Sequence, residues 1–317
     1  MNQLEQLKKV TTVVADSSDF EDLEKYKPQD TTTNPSLIYK SAKLEKYKHL
    51  VEKAVFHTKG ISKKEKLENA LDNLFLNFGL EILKKIPGRV SIEVDARLSF
   101  DVEKTKIRAK KIINLFEKNG VDRERILIKL ASTWEGILAA RDLEKENIKC
   151  NMTLLFSIYQ AVFCAKASAT LISPFVGRIL DWHLQNSSKK EFRANEDPGV
   201  VSVKNIYNYY KKFGYKTKIM GASFRSKEQI VELMGCDLLT IAPSFLKELE
   251  NDNSKITKKL CLENAKSEKI EKIEIDEKKF RYLLCHDPMA SEKLYDGIRK
   301  FSKDIENLEN IIFPMLG

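Results

Sequence analysis

Residues Ile126–Ser132 read ILIKLAS, an apolar run of strand length with a lysine in its middle. Side chains alternate along a strand, so Leu127 and Lys129 share one face while Ile126, Ile128 and Leu130 share the other. The second set is wholly apolar and suits a face covered by helices. Lys129 then points to the opposite face, which becomes an interior if the sheet closes. Seven more short apolar runs flank this one: Val13–Ala15, the segment around Thr32–Thr33, Val90–Val94, Asn151–Phe156, Leu171–Phe175, Lys218–Ala222 and Leu238–Ala242. Several are built from β-branched residues, as strands are.

Helical patterns lie between these runs. Within Asp101–Asn119, residues Ile112, Leu115 and Phe116 fall on one face, and Gly120 follows as a C-cap. A similar pattern runs over Val203–Phe213 and stops at Gly214. Asp101 and Ser226 stand where N-caps are expected. Strand and helix alternating eight times argue for parallel pairing, as a closed (β/α)8 barrel or a large doubly wound sheet. No GxGxxG or phosphate-binding loop favours the doubly wound, nucleotide-binding version. Asn251–Lys279 is very polar but holds no Pro or Gly linker. It reads as a surface excursion after the eighth strand, with Asp287–Asn310 as a closing helix. The expectation is one domain over residues 1–317, a TIM-type α/β barrel with extra helices at its ends.

The 317 residues are 42% apolar and 32% charged, enough for a large core under a solvated surface. The formal charge of +9 is spread among carboxylates, as in Lys63, Lys64, Glu65, Lys66 and Glu68. No nucleic-acid-binding motif accompanies it, so no nucleic acid is expected as a partner. A positive field does suit small anions. The opening stretch MNQLEQLKKVTTVVAD lacks the apolar segment of a signal peptide. No apolar run reaches the roughly 18 residues of a membrane helix. The five cysteines are scattered, so reduced thiols and a cytoplasmic location are expected. The four histidines show no ligating spacing, and no metal is expected.

Ionisable groups cluster at strand ends. Burial favours the neutral form of a lysine such as Lys129, and a neutral amine attacks ketones to form Schiff bases. A strand-end lysine can also snorkel to solvent, and the segment alone allows either. Glu93 interrupts SIEVDARL, and Asp16 ends VVAD. Each reads as a proton-transfer group or as a cap or salt-bridge member. Asn151 and Thr153 share one phase of the fifth strand; Ser173 and Phe175 share one phase of the sixth. Such small polar groups suit a polyhydroxylated ligand or simply fill a barrel mouth. Arg178 and Arg225 follow consecutive strands, placed for a bidentate phosphate clamp or for surface salt bridges. The C-terminal end of a barrel is where active sites form.

Eight segments in chain order resemble one family, the transaldolases. They are VVAD (Val13–Asp16), TTNPSL (Thr32–Leu37), EVDARLS (Glu93–Ser99), ILIKLASTWEG (Ile126–Gly136), LISPFVGRILDW (Leu171–Trp182), EDPGV (Glu196–Val200), GASFR (Gly221–Arg225) and DPMA (Asp287–Ala290). The resemblance covers essentially the whole chain and points to the longer bacterial and eukaryotic subfamily. It implies a (β/α)8 barrel, no cofactor, a homodimer and a place in the non-oxidative pentose phosphate pathway. The implied reaction moves a dihydroxyacetone unit from sedoheptulose 7-phosphate or fructose 6-phosphate to an aldose phosphate. It implies Lys129 as the Schiff-base lysine. Glu93 would act through a water with Thr153, and Asp16 would take the hydroxyl proton. Asn34, Asn151 and Ser173 would hold the substrate hydroxyls. Arg178 and Arg225, with Ser223 beside them, would bind the phosphate. Thr31 and Ile92 depart from the family pattern, where alanine and threonine are common. Ile92 is out of phase with Glu93, so a packing change is expected there.

An aldolase that releases free dihydroxyacetone would use the same lysine, and a sugar-phosphate sensor would keep the barrel without turnover. Phe175 bears on the first of these, because it offers no hydroxyl to position a hydrolytic water near Ser173. Phe175→Tyr is expected to raise release of free dihydroxyacetone relative to transfer, measured as product partitioning with and without acceptor; an unchanged ratio refutes it.

Overall fold

The structure is a computed structural model and describes residues 1–316. Its centre is a closed, all-parallel barrel of eight strands in chain order. The strands are β1 (Thr12–Asp16), β2 (Asp30–Thr32), β3 (Val90–Glu93), β4 (Ile126–Ala131), β5 (Cys150–Leu155), β6 (Leu171–Pro174), β7 (Lys218–Gly221) and β8 (Leu238–Ile241). β8 closes on β1 through Thr12↔Leu238 to Ala15↔Ile241. All eight expected strands are present, and the doubly wound alternative is excluded by that closure.

Alternation sorts the side chains as the sequence requires. Val14, Leu127, Leu171, Met220 and Leu238 form a separate buried cluster inside the barrel. Ile126, Ile128 and Leu130 belong instead to the larger core between strands and helices. Two residues beyond the plug the interior turns polar: Asp16 follows Val14, Lys129 follows Leu127, Ser173 follows Leu171 and Thr240 follows Leu238. An apolar floor therefore lies directly under a polar layer at the C-terminal mouth.

Local caps set where the helices start. Asp101 accepts from Lys104 N at 2.9 Å at the head of Val102–Lys118, and Ser226 caps Lys227–Glu232. Gly120 and Gly214 take positive φ of 78° and 69° just past helix ends, where a Cβ would be strained. The helix expected over Val203–Phe213 begins earlier, at Pro198, because Asp197 caps it and proline suits its first turn. The polar stretch Asn251–Lys279 is more than a surface excursion. It contains the helix Leu262–Ser267, whose Ala265 is fully buried.

The closing helix runs over Pro288–Ile312 and is capped by Asp287. It reaches the barrel at Gly297, where a Cβ would come within 2.5 Å of Leu154. Leu154 itself has a positive φ of 53°, beside a register shift between β5 and β6. One turn further on, the same helix face presents Phe301 to the mouth. Among the described residues no helix is long and apolar enough to cross a membrane.

Ile92 packs outward against the core, as its phase requires. Thr31 also faces outward, and its buried hydroxyl has no hydrogen-bond partner. A buried hydroxyl without a partner is unfavourable, and an isosteric apolar group removes that penalty. Thr31→Val is expected to stabilise the protein by about 1 kcal/mol, read as a higher denaturant midpoint at unchanged slope; an equal or lower midpoint refutes this.

Candidate active site

The mouth of the barrel holds a cavity of about 230 Å³. Asp16, Asn34, Lys129, Thr153, Ser173, Phe175, Arg178, Ser223 and Arg225 all line it. Glu93 and Asn151 do not line it and stand behind that surface. Thr32, Thr240 and Phe301 line it as well, and the sequence reading missed them. Thr32 was within reach of that reading, since it shares the phase of Asn34. Phe301 carried no local signal, because its place depends on how a distant helix packs.

Lys129 and Glu93 are register partners on β4 and β3. Lys129 Nζ lies 3.0 Å from Glu93 Oε2, with side-chain exposures of 6% and 2%. This excludes the snorkelling alternative. Lys129 Nζ also donates to the Thr33 carbonyl at 3.1 Å. Burial pushes the Glu93 carboxyl above its ordinary range, and Lys129 and Arg178 pull it back.

Asp16 ends β1 beside Thr32 of β2, and Thr32 Oγ1 donates to Asp16 Oδ1 at 3.0 Å. Burial raises the Asp16 carboxyl, against the opposing pull of Lys129, the Thr32 hydroxyl and Arg178. One amine therefore shares the barrel mouth with two carboxyls that burial biases toward the proton-holding form. That combination can move protons around a carbonyl carbon.

The small polar residues are not equivalent. Ser173 Oγ donates to Asn151 Oδ1 at 2.6 Å, and Asn151 Nδ2 donates to Ser91 Oγ at 3.0 Å. Asn151 bonds one hydroxyl at each end of its amide and stands behind Ser173, so it braces that hydroxyl. Asn34 Oδ1 caps the helix Pro35–Ala42 by accepting from Leu37 N at 2.9 Å. Thr153 Oγ1 and Arg178 Nη1 are buried without partners. Unpaired buried polar atoms at a cavity wall are what a polar ligand would satisfy.

The two arginines also differ. The Arg178 guanidinium lies 4.8 Å from the Phe175 ring centre and 5.6 Å from that of Phe301. Burial lowers its proton affinity, with the nearby Arg225 adding to the effect, but a guanidinium stays charged. Arg225 is held by Asp181, through Nε at 3.0 Å and Nη2 at 2.6 Å. Its remaining nitrogen, Nη1, faces Ser223 Oγ at 3.4 Å. The salt-bridge alternative is thus realised for Arg225, which lines the cavity while paired. Ser223 has a positive φ of 61°, and its carbonyl accepts from Gly177 N at 2.6 Å. The two arginine-bearing turns are thereby tied together.

Comparison with known proteins agrees with this arrangement. Residues 13–312 match the family described as Transaldolase/Fructose-6-phosphate aldolase. The chain is 58% identical over 315 residues to a probable transaldolase of Drosophila melanogaster, covering 98% of this chain and 95% of that one. The chain belongs to the transaldolase family. It is 56% identical to the transaldolase of Homo sapiens over 312 residues, 98% of this chain and 93% of that one. Identity to the transaldolase of Protochlamydia amoebophila is 55% over 312 residues, 98% and 97% of the two chains. Transaldolase activity, a transferase chemistry, follows for this chain, and a free-standing aldolase is not favoured.

A transaldolase mouth with one unpaired buried guanidinium and one already paired should bind anions unequally through the two. Calorimetric titration with inorganic phosphate is expected to show more than tenfold weaker binding in Arg178→Met, since a charge-assisted bond contributes about 1.5–3 kcal/mol. Arg225→Met should weaken binding by a smaller factor; the reverse order refutes this account of the site.

Proposed function

We propose that Lys129 carries the transferred fragment as a Schiff base in a reversible transfer of dihydroxyacetone between sugar phosphates. The observation that carries this reading is a buried amine held 3.0 Å from Glu93 at the floor of a polar, arginine-rimmed cavity. The donors would be sedoheptulose 7-phosphate and fructose 6-phosphate, and the acceptors glyceraldehyde 3-phosphate and erythrose 4-phosphate.

Glu93 accepts the proton that the ammonium must lose before it attacks the ketose carbonyl. The carbinolamine then forms and loses water, with Glu93 and the unpaired Thr153 hydroxyl handling that water. The protonated imine draws electrons toward nitrogen. Asp16 takes the proton from the hydroxyl on the first carbon beyond the scissile bond. That oxygen becomes the carbonyl of the departing aldose, the carbon–carbon bond breaks, and its electron pair passes into the enamine. Reversal with another aldose completes the transfer. Ser173, braced by Asn151, and the Asn34 amide hold the fragment's hydroxyls. Arg178 and Arg225 hold the phosphate, with Ser223 beside them.

Retention of the enamine requires that water not protonate and release it. Phe175 and Phe301 supply apolar walls on that side of the cavity. The pathway role is the non-oxidative pentose phosphate pathway, without a cofactor. A cytoplasmic setting is supported by five free thiols, none of them paired. A homodimer through the C-terminal helices is supported by exposed aromatic surface there. Tyr282 is 65% and Tyr295 44% exposed, and Tyr295 stacks on Phe100 at 6.1 Å. Light scattering across a dilution series checks this, and a monomer at every concentration would sink the dimer.

Fructose 6-phosphate alone is expected to give a burst of glyceraldehyde 3-phosphate near one equivalent per site. Steady turnover should begin only when erythrose 4-phosphate is added. Lys129→Met should abolish both phases and the adduct trapped by borohydride. Steady turnover without acceptor would make the enzyme an aldolase. No product from folded protein would leave a sugar-phosphate-binding protein.

A further inference from the structure

The proposed mechanism asks Asp16 to take and return a proton in one fixed orientation, and hydroxyls from two other strands hold it. Thr32 Oγ1 donates to Asp16 Oδ1 at 3.0 Å and lies 2.7 Å from Thr240 Oγ1. A hydroxyl has a single proton to give. The Thr32 proton is committed to Asp16, so the second contact is made with the proton of Thr240. A directed chain therefore runs from Thr240 on β8, through Thr32 on β2, to Asp16 on β1. All three line the cavity. Both threonines are almost wholly buried, and β1 pairs with β2 on one side and β8 on the other. Two hydroxyls from opposite neighbours thus meet in front of the strand that bears the carboxylate.

We infer that Thr240 is a positioning residue for the proton-transfer step: through Thr32 it fixes Asp16 Oδ1 and leaves Oδ2 as the atom that takes the substrate proton. This rests on the reading of Asp16 as proton acceptor. A hydrogen bond to the anion favours the charged form, and bonds in series strengthen one another. The chain therefore opposes the burial that raises the Asp16 carboxyl. Other charged groups act on Asp16 too. Lys129 from β4 and Arg178 from the helix after β6 favour its anion, and Glu93 from β3 opposes it. Arg225, after β7, shares the cavity. On the flank of β1, Asp22 is engaged by Ser17 at 2.9 Å. β8 adds no titratable group, only the Thr240 hydroxyl. Replacing Thr240 with valine keeps volume and leaves all of these in place.

The sign follows from the charge. Loss of the Thr240 donor weakens the bond from Thr32, the Asp16 anion becomes less favoured, and its proton leaves at higher pH. The base acts only when deprotonated, so the acid limb of kcat/KM moves up. The test is the pH profile with fructose 6-phosphate and erythrose 4-phosphate for wild type, Thr240→Val, Thr240→Ser and Thr32→Val, with thermal midpoints to establish folding. Thr240→Val should raise the acid limb by about half a pH unit, the upper end of what cooperative strengthening of one bond supplies. Thr32→Val, which removes the direct bond, should raise it by about one unit or more. Thr240→Ser should restore the wild-type limb. In both valine variants kcat should fall at acid pH while KM changes little. A Thr240→Val profile that keeps the wild-type limb, or a shift that serine does not reverse, overturns the inference. Asp16→Asn provides the separate check: a limb that survives it overturns the reading of Asp16 itself, and the inference with it.

Discussion

Two opposite charges, Lys129 and Glu93, face each other across neighbouring strands at 3.0 Å with almost no exposure to water. Removing one partner of such a buried pair costs about 3–5 kcal/mol, because the other charge is left without compensation. The pair can exist only where the backbone places both side chains on the same interior level, and the parallel register of β3 with β4 does so. The apolar plug beneath them supplies the dry floor. The polar layer around them supplies the Thr33 carbonyl, the Thr153 hydroxyl and the second carboxyl, Asp16. An ion pair buried this deeply makes the site electrostatically demanding.

The same tension governs the rim. Arg178 is buried between two aromatic rings and keeps one nitrogen unsatisfied, a state that a bound anion would relieve. Arg225 is partly neutralised by Asp181, which lies three residues after Arg178 on the same helix. Two guanidiniums can therefore sit close together without a ligand. The wall opposite comes from the far end of the chain. Gly297 lets the closing helix approach Leu154 of β5, and that approach carries Phe301 over both Lys129 and Arg178. The apolar wall at the mouth thus depends on a glycine one helical turn away from the residue that provides it.

Much of this was legible before the structure, for identifiable reasons. Period-two alternation is a local property, so ILIKLAS alone separates Leu127 and Lys129 from Ile126, Ile128 and Leu130. Helix ends are local too, which is why Asp101, Ser226, Gly120 and Gly214 stand where they were expected. Other features escaped because they are pairings between distant residues. Asn151 reads as a group that meets a ligand or fills the barrel mouth, and its bonds to Ser91 and Ser173 set it behind the cavity wall. Arg225 reads as a phosphate clamp or a salt-bridge member, and its pairing with Asp181 decides for the second in the free site. The stretch Asn251–Lys279 reads as polar surface, yet it buries Ala265, because one apolar residue per short helix is too weak a pattern to see.

The sequence by itself determined the eight strands, the shared phases of Leu127 with Lys129, of Asn151 with Thr153 and of Ser173 with Phe175, and the family to which the chain belongs. Each of these rests on short-range geometry or on motif order, which no folding event is needed to reveal. Only the tertiary structure decided which of those groups meet and which are already occupied. Barrel closure brings β8 against β1, so that Thr240 reaches Asp16 through Thr32 across a separation of more than two hundred residues. Hydrogen bonds and ion pairs form over a few ångströms, and only the closed fold sets which atoms lie that near.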